Sequence, residues 1–310
     1  MIKINNVTKK YGDFTAVDKL SLTVNKAEFL VILGPSGCGK STLLRLINKM
    51  IDRNGGEIQV NGEDIDTVKG EELRKKIGYV IQSTGLFPHM DVKKNIATVP
   101  NLLNWEEKKI SKRVDEMLTL VGLQPEKYKD KKPSELSGGE AQRIGVARAI
   151  ASDPDILLMD EPFGAVDPIN RLRLQKEFRK IQRELKKTVV FVTHDIDEAL
   201  LLADRICVMN KGEIVQLDTP ENIVLHPKND FVSDFFKGEG ILTILSRKPA
   251  VDYANESVIL EEEPLDKNAT LREVLTDMLT TGKEQVALVN GSISWDSILK
   301  IAGSDLNDSE

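Results

Sequence analysis

No apolar run in this chain is long enough to cross a bilayer. The longest, "FLVIL", "TVVFV" and "ALLLA", fall well short of the roughly 18 residues that a spanning helix needs. Work at a membrane would therefore require another chain to do the spanning. Cysteine is scarce: Cys38 and Cys207 stand far apart in 310 residues. They cannot form a disulfide framework, which favours a reducing cytosol. Blocks of like charge are missing too. The 43 basic and 49 acidic side chains are interspersed and leave a net charge of -6, so there is no electrostatic footprint for nucleic acid. The start, "MIKINNVTKKYG", lacks the apolar centre of a secretion signal. No internal repeat and no low-complexity linker is visible. What is present is a 40% hydrophobic content, enough for a real core in about two domains.

The opening reads as short strands, with loose alternation over "MIKINNVTKKYG", then "LSLTV", then a buried strand "EFLVIL" (28–33) bounded by Gly34-Pro35. Leu43, Leu44, Leu46 and Ile47 mark a helix directly after the glycine-rich stretch. "GEIQVNGEDI" predicts a hairpin turning at Asn61-Gly62, and "KIGYVIQ" (76–82) another buried strand. An all-helical insertion follows, in which Ile110, Val114, Met117, Leu118 and Val121 share one apolar face closed by Gly122. Strands over 156–160 and 188–194 then alternate with helical patterns, the signature of a mostly parallel sheet in an α/β fold. Beyond Gly240 the pattern becomes β-α-β-β-α. Its capped helix presents Leu271, Val274, Leu275, Met278 and Leu279, followed by "QVALV", a turn at Asn290-Gly291, "SISW" and "DSILKIA".

"GPSGCGKST" (34–42) carries the first chemistry: Gly34, Pro35, Ser36, Gly37, Cys38, Gly39, Lys40, Ser41 and Thr42. It contains G-x-x-x-x-G-K-[ST], which would arise by chance in roughly 1 chain of this length in 100. Its place between a buried strand and a helix is the one its mechanism requires. Glycines let successive N–H groups curl around a phosphate, and the helix end adds positive dipole. That dipole supplies only ~0.3–2 kcal/mol, whereas micromolar binding needs about 8 kcal/mol. Several donors must therefore act together with a cation. Lys40 is expected to reach the β- and γ-phosphates of a nucleotide, Ser41 to ligate Mg²⁺, and Thr42 to donate on the α side.

"ILLMDE" supplies a carboxylate, Asp160, at the end of a buried strand where that Mg²⁺ would lie, and Glu161 next to it could polarise water. His194 and Gln82 each close a predicted strand and are expected on the γ-phosphate side, Gln82 as a sensor of metal or water. "LSGGE" places Ser137, Gly138 and Gly139 before a helix, a second anion site without a lysine. The first loop already holds a nucleotide. The second is therefore expected to cover the nucleotide of another copy in a head-to-tail dimer.

Together these motifs resemble the ATP-binding subunit of an ABC transporter, over residues 1 to about 237 and in family order: Tyr11, "GPSGCGKST", Gln82, "LSGGE", "ILLMDE", "GAVD" and the "TH" ending at His194. The resemblance implies an α/β, ABC-type nucleotide-binding domain over 1–240. That domain comprises a P-loop NTPase core sheet, an antiparallel β subdomain and a helical subdomain at about 90–150. It implies that Tyr11 stacks on the adenine of ATP, that Gln82 couples the site to a membrane permease, and that Asp167 communicates across the dimer. Catalysis would fall to Glu161, His194, Lys40 and Gln82, with Mg²⁺ at Ser41, Gln82 and Asp160.

Residues 83–96, with the apolar Leu86, Phe87, Pro88 and Met90, resemble the segment that receives a permease helix. The run from Thr193 to Phe236 is similar to importers of glycine betaine, carnitine and choline. An extracellular substrate-binding protein and a peripheral place on the cytoplasmic face of the membrane are thereby implied. Residues 264–302, within a C-terminal region 241–310, are similar to one CBS motif where two are usual, which implies a regulatory unit or a degenerate dimerisation piece, and Glu140 stands where these importers usually carry glutamine. Two other readings remain: an importer ATPase for another solute such as an amino acid, and a soluble ABC ATPase acting on ribosomes or DNA.

Overall fold

The computed structural model describes residues 1–303 except 83–84, 165, 237–239 and 261. The chain divides into two compact units, Met1–His194 with Cys207–Val215, and Asp195–Ile206 with the chain from Gln216 on.

The first unit holds two sheets. One is four-stranded, in the order β2-β1-β4-β5, from β1 (Ile2–Tyr11), β2 (Phe14–Val24), β4 (Gly55–Val60) and β5 (Glu63–Asp64). Its neighbours run antiparallel. The expected hairpin is present. Asn61 and Gly62 take φ of 55° and 84° between the paired Val60 and Glu63, the double left-handed turn that Asn-Gly favours.

The other sheet is six-stranded, in the order β10-β9-β3-β8-β7-β6. It comprises β3 (Phe29–Leu33), β6 (Ile77–Val80), β7 (Ile156–Asp160), β8 (Thr188–Thr193), β9 (Arg205–Asn210) and β10 (Glu213–Asp218). Every residue of β3, β7 and β8 is buried, as expected of parallel strands covered on both faces. Phe29, Phe163, Phe178 and Phe191 interlock in this core. The parallel register sets Leu33 beside Thr193 and Asp160 beside Val192. Three strands thus end together, at the edge where α/β sheets bind ligands.

The helices of this unit are α1 (Lys40–Ile47), α2 (Gly70–Lys75), α3 (Val92–Leu102), α4 (Glu107–Leu120), α5 (Pro125–Tyr128), α6 (Gly138–Ala151) and α7 (Pro168–Leu185). Asp91 caps α3 by accepting from the Lys94 N–H at 2.7 Å, and α3 and α4 both pack on α6. The α4 face is buried as expected, with Ile110, Val114, Met117, Leu118 and Val121 all below 7% exposed. Two strand ends differ from expectation. β6 stops at Val80, so Gln82 lies two residues beyond it, and β8 stops at Thr193, so His194 is the first residue past the strand.

The second unit contains α8 (Ile196–Leu202), α9 (Pro220–Leu225), α10 (Asp230–Phe236), α11 (Gly240–Leu245), α12 (Leu271–Thr281), α13 (Trp295–Gly303) and a hairpin of β11 (Gln285–Leu288) and β12 (Gly291–Ser294). Thr243 donates to Asp197 at 2.6 Å, and Arg247 donates to the carbonyls of Leu200 (2.6 Å) and Ala203 (3.1 Å). These bonds fasten α11 and the chain after it to α8. Thr270 and Glu273 form the capping box of α12. The core gathers Leu245, Ala250, Leu271, Val274, Met278 and Val286, with Leu275 only partly covered. Leu279, expected on the same face, is 67% exposed, because the covered stripe is narrower than the apolar one. The hairpin turns at Val289-Asn290 rather than Asn290-Gly291. Gly291 serves close approach instead, since a Cβ there would lie 2.4 Å from the Asn255 carbonyl.

Candidate functional site

A cleft of about 540 Å³ opens at the aligned strand ends, lined by Tyr11, Phe14, Ala16, Ser36, Gly37, Gly39, Lys40, Ser41, Thr42, Gln82, Glu161 and His194. Its size falls within the ~300–1,000 Å³ usual for ligand sites. Each wall follows from local sequence. β3 ends at Leu33 and the chain turns through Gly34, Gly37 and Gly39, all at positive φ. At Gly39 (φ 108°) a Cβ would stand 2.2 Å from the Ala16 carbonyl, so only glycine lets the loop lie this close to β2. Gly39 is also the N-cap of α1, and no side chain caps that helix. Its first N–H groups are therefore available to an anion.

Lys40 is buried, and its ammonium donates to the carbonyls of Gly34 (2.7 Å) and Pro35 (2.9 Å). The loop's cation is thus held beside its phosphate-sized turn. Cys38 is buried behind the loop with its thiol pKa pushed up by burial, so it plays a packing part. Gly34, Pro35 and Cys38 do not line the cleft.

Ser41 donates to Asp160 at 3.0 Å. Asp160 is 4% exposed. Burial raises its carboxyl pKa, opposed by the Ser41 hydrogen bond, raised further by Glu161, and lowered by Arg45 and Lys40. A buried carboxylate beside a hydroxyl is a pair of hard oxygens that suits Mg²⁺. Among the described residues no cluster of three or more His, Cys, Asp or Glu could hold a metal.

Glu161 is the junction of the site. One carboxylate oxygen takes Gln82 Nε2 at 3.2 Å and the other faces His194 Nδ1 at 2.9 Å. The backbone sits at φ 48°, in the left-handed region that residues with side chains visit uncommonly. Gln82, Glu161 and His194 lie just past the ends of three neighbouring strands, β6, β7 and β8.

Tyr11 and Phe14 pair across the β1–β2 turn and are 47% and 61% exposed. Tyr11 was expected at a base-stacking position; Phe14 was not. The two-residue turn in "YGDF" was the available signal, because it sets these rings opposite each other. Ser137 caps α6 by accepting from the Glu140 N–H (3.3 Å), and Glu140 returns a carboxylate to the Ser137 N–H (2.8 Å). Glu140 also accepts from the Tyr128 hydroxyl (2.6 Å), which with the Ser137 contacts holds its pKa low. Ser137, Gly138, Gly139 and Asp167 do not line the cleft of their own chain. A second missed residue is Gln142, whose amide donates to the Glu161 carbonyl at 3.1 Å.

The sequence profile of the ABC transporter family matches residues 17–164. The choline transport ATP-binding protein OpuBA of Bacillus subtilis is 46% identical over 291 residues, 94% of this chain and 76% of that protein. The glycine betaine uptake system ATP-binding protein YehX of Escherichia coli is 45% identical over 291 residues, 94% of each chain. Among solved structures, the dimeric ATP-binding cassette MJ0796 in a post-hydrolysis state with ADP and Pi aligns with a TM-score of 0.65. It shares 34% identity over 71% of this chain and 98% of its own.

Proposed function

This chain belongs to the ATP-binding subunits of ABC transporters and hydrolyses ATP for import; from that premise we propose a mechanism and a cargo. ATP enters the cleft with its adenine against Tyr11 and Phe14 and its phosphates on the loop 34–42. Lys40 exchanges the Gly34 and Pro35 carbonyls for phosphate oxygens, and Thr42 donates on the α side. Ser41 and Asp160, with Gln82 near by, would hold Mg²⁺, which when bound neutralises charge on the phosphates. Glu161 aligns water for attack on the γ-phosphate and draws its proton, while His194 contacts that phosphate and reports its loss. Hydrolysis here is positioning plus charge stabilisation, without a covalent intermediate.

The observation that carries this reading is Glu161 held between Gln82 and His194 beside the Ser41–Asp160 pair. Ser137, Gly138, Gly139 and Asp167 lie outside their own cleft, which fits action on the nucleotide of a second copy in an ATP-closed dimer. Phe87 and Pro88 are exposed and suit a permease helix at the cytoplasmic face of the membrane. No helix among the described residues is long and apolar enough to cross a membrane. The chain from 241 on is read as a single CBS-like regulatory or dimerising piece.

The cargo is a quaternary amine osmoprotectant such as glycine betaine, carnitine or choline, delivered by an extracellular binding protein. Uptake of the three labelled compounds by cells with and without this chain tests that. Loss of uptake of at least one is expected. Unchanged uptake of all three removes the cargo and leaves the ATPase.

A further inference from the structure

We propose that Gln142 is a positioning residue for hydrolysis, gripping the backbone carbonyl of Glu161 and so fixing the direction of its carboxylate. The inference rests on the reading of Glu161 as the carboxylate that aligns water. Glu161 occupies a backbone region, φ 48°, that an L residue keeps only where its surroundings over-determine it. Those surroundings can be named. Its N–H donates to the Val192 carbonyl at 3.0 Å, two residues before His194. Its carbonyl accepts from the Gly164 N–H at 3.2 Å and from Gln142 Nε2 at 3.1 Å. The first two clamps are backbone and belong to the strand and turn themselves. Gln142 is the side chain that reaches in from another element, and it is 3% exposed.

The carboxylate of Glu161 hangs from this peptide, so a small rotation at the carbonyl swings it away from Gln82 and His194. Asp160 lies on the other side of Glu161, inside β7, and its bond to Ser41 does not pass through the Glu161 carbonyl. Loss of Gln142 should therefore disturb water alignment while leaving phosphate and metal binding intact. Gln142 also rides on α6, whose cap is Ser137. One helix thus carries both the contact meant for a second copy's nucleotide and a grip on its own hydrolytic carboxylate.

The test uses the full chain and ATP with four variants: Gln142→Glu, which keeps the shape and loses the donor; Gln142→Met, which removes the donor without adding charge; Glu161→Gln; and Gln142→Met with Glu161→Gln. Both single changes at 142 should lower kcat about 10- to 100-fold, the scale on which ~1 Å misplacement acts. Nucleotide affinity and KM should stay within about twofold of wild type, since groups that act only on the reacting geometry separate kcat from binding. The double variant should be no slower than Glu161→Gln alone, because Gln142 acts through Glu161. Wild-type kcat in Gln142→Met, a parallel loss of nucleotide affinity, or multiplicative effects in the double variant would overturn the proposal. If Glu161→Gln itself turns over normally, the assignment of Glu161 fails first and Gln142 with it.

Discussion

Ser41 Oγ donates to Asp160 Oδ1 across 3.0 Å, tying the first turn of α1 to the end of β7. Burial, helped by the neighbouring Glu161, lifts the Asp160 pKa more than this bond, Arg45 and Lys40 lower it, so the ionised carboxylate costs more in the fold than in the unfolded chain. The penalty is absent below the unfolded pKa of about 3.9 and accumulates as pH rises from there toward the folded value. It persists at neutral pH. Asp160→Asn should therefore raise the Tm of the nucleotide-free protein, by about 2–4 °C for each 1 kcal/mol relieved. The same change should abolish Mg²⁺-dependent hydrolysis. Calorimetry at pH 7 checks the first outcome and phosphate release the second. A lower Tm in the variant would mean that the Ser41 bond outweighs burial.

Glu161→Gln keeps the size of the side chain and its bonding to Gln82 and His194 while removing the charge. Turnover should fall about 10²- to 10⁴-fold, the usual contribution of a positioned base, while ATP still binds. With hydrolysis blocked, an ATP-dependent dimer should accumulate and be visible by light scattering. Hydrolysis at the wild-type rate would move the water-aligning role to another residue.

Gly39→Ala puts a Cβ at 2.2 Å from the Ala16 carbonyl, on a backbone of φ 108°. Backbone cannot yield there as a flexible side chain could, so the loop must open. Nucleotide binding should drop at least tenfold and Tm should fall, both measurable by thermal shift with and without ATP. Gly37→Ala is the control, since a Cβ there meets nothing within 4 Å; its cost should be limited to its positive φ.

Much of this site could be read from the chain, for a physical reason. The loop 34–42, Asp160, Glu161 and His194 sit at the ends of strands whose runs of apolar residues are unmistakable, and parallel register brings those ends together. Gln142 was not legible, because it acts through a side-chain amide on a backbone carbonyl 19 residues away. Nothing in a helical pattern marks that. Phe14 was missed because aromatic pairing across a two-residue turn depends on register. The tail misled for the opposite reason: periodicity showed an apolar face on α12, but only the packing partners decide how wide a stripe is covered, and Leu279 falls outside it.

Asn95 offers a way to separate hydrolysis from coupling. It is fully buried, accepts from the Phe87 N–H (2.8 Å) and donates to the carbonyls of Phe87, Met90 and Asp91 at 3.2, 3.1 and 3.0 Å. It therefore shapes the segment 86–91 that exposes Phe87 and Pro88. Asn95→Ala leaves several polar groups short of a partner, at about 1–3 kcal/mol. Basal ATPase activity should stay within about twofold. Any stimulation of that activity by the permease, and uptake itself, should fall together. Equal loss of basal and permease-stimulated activity would place Asn95 in the fold of the ATPase instead.

Truncation of the tail should depend sharply on where the cut falls. Arg247 donates to the last carbonyls of α8, at Leu200 and Ala203, and lies 3.8 Å from Glu221. Hydrogen bonds to a charged group contribute about 1.5–3 kcal/mol each, and helix-end carbonyls without a partner are costly. A chain ending at Lys248 keeps α11, Thr243 and Arg247 on α8, and gives up the cover that the later core provides for Leu245 and the contacts of Lys248 with Leu271 and Tyr253. A chain ending at Gly240 loses all of these contacts. The longer truncate should therefore retain basal ATPase activity within about twofold. The shorter one should lose Tm by several degrees. Arg247→Ala in the full chain should reproduce part of the shorter truncate's loss. If the two truncates behave alike, the anchoring of α8 lies elsewhere than in Arg247 and Thr243.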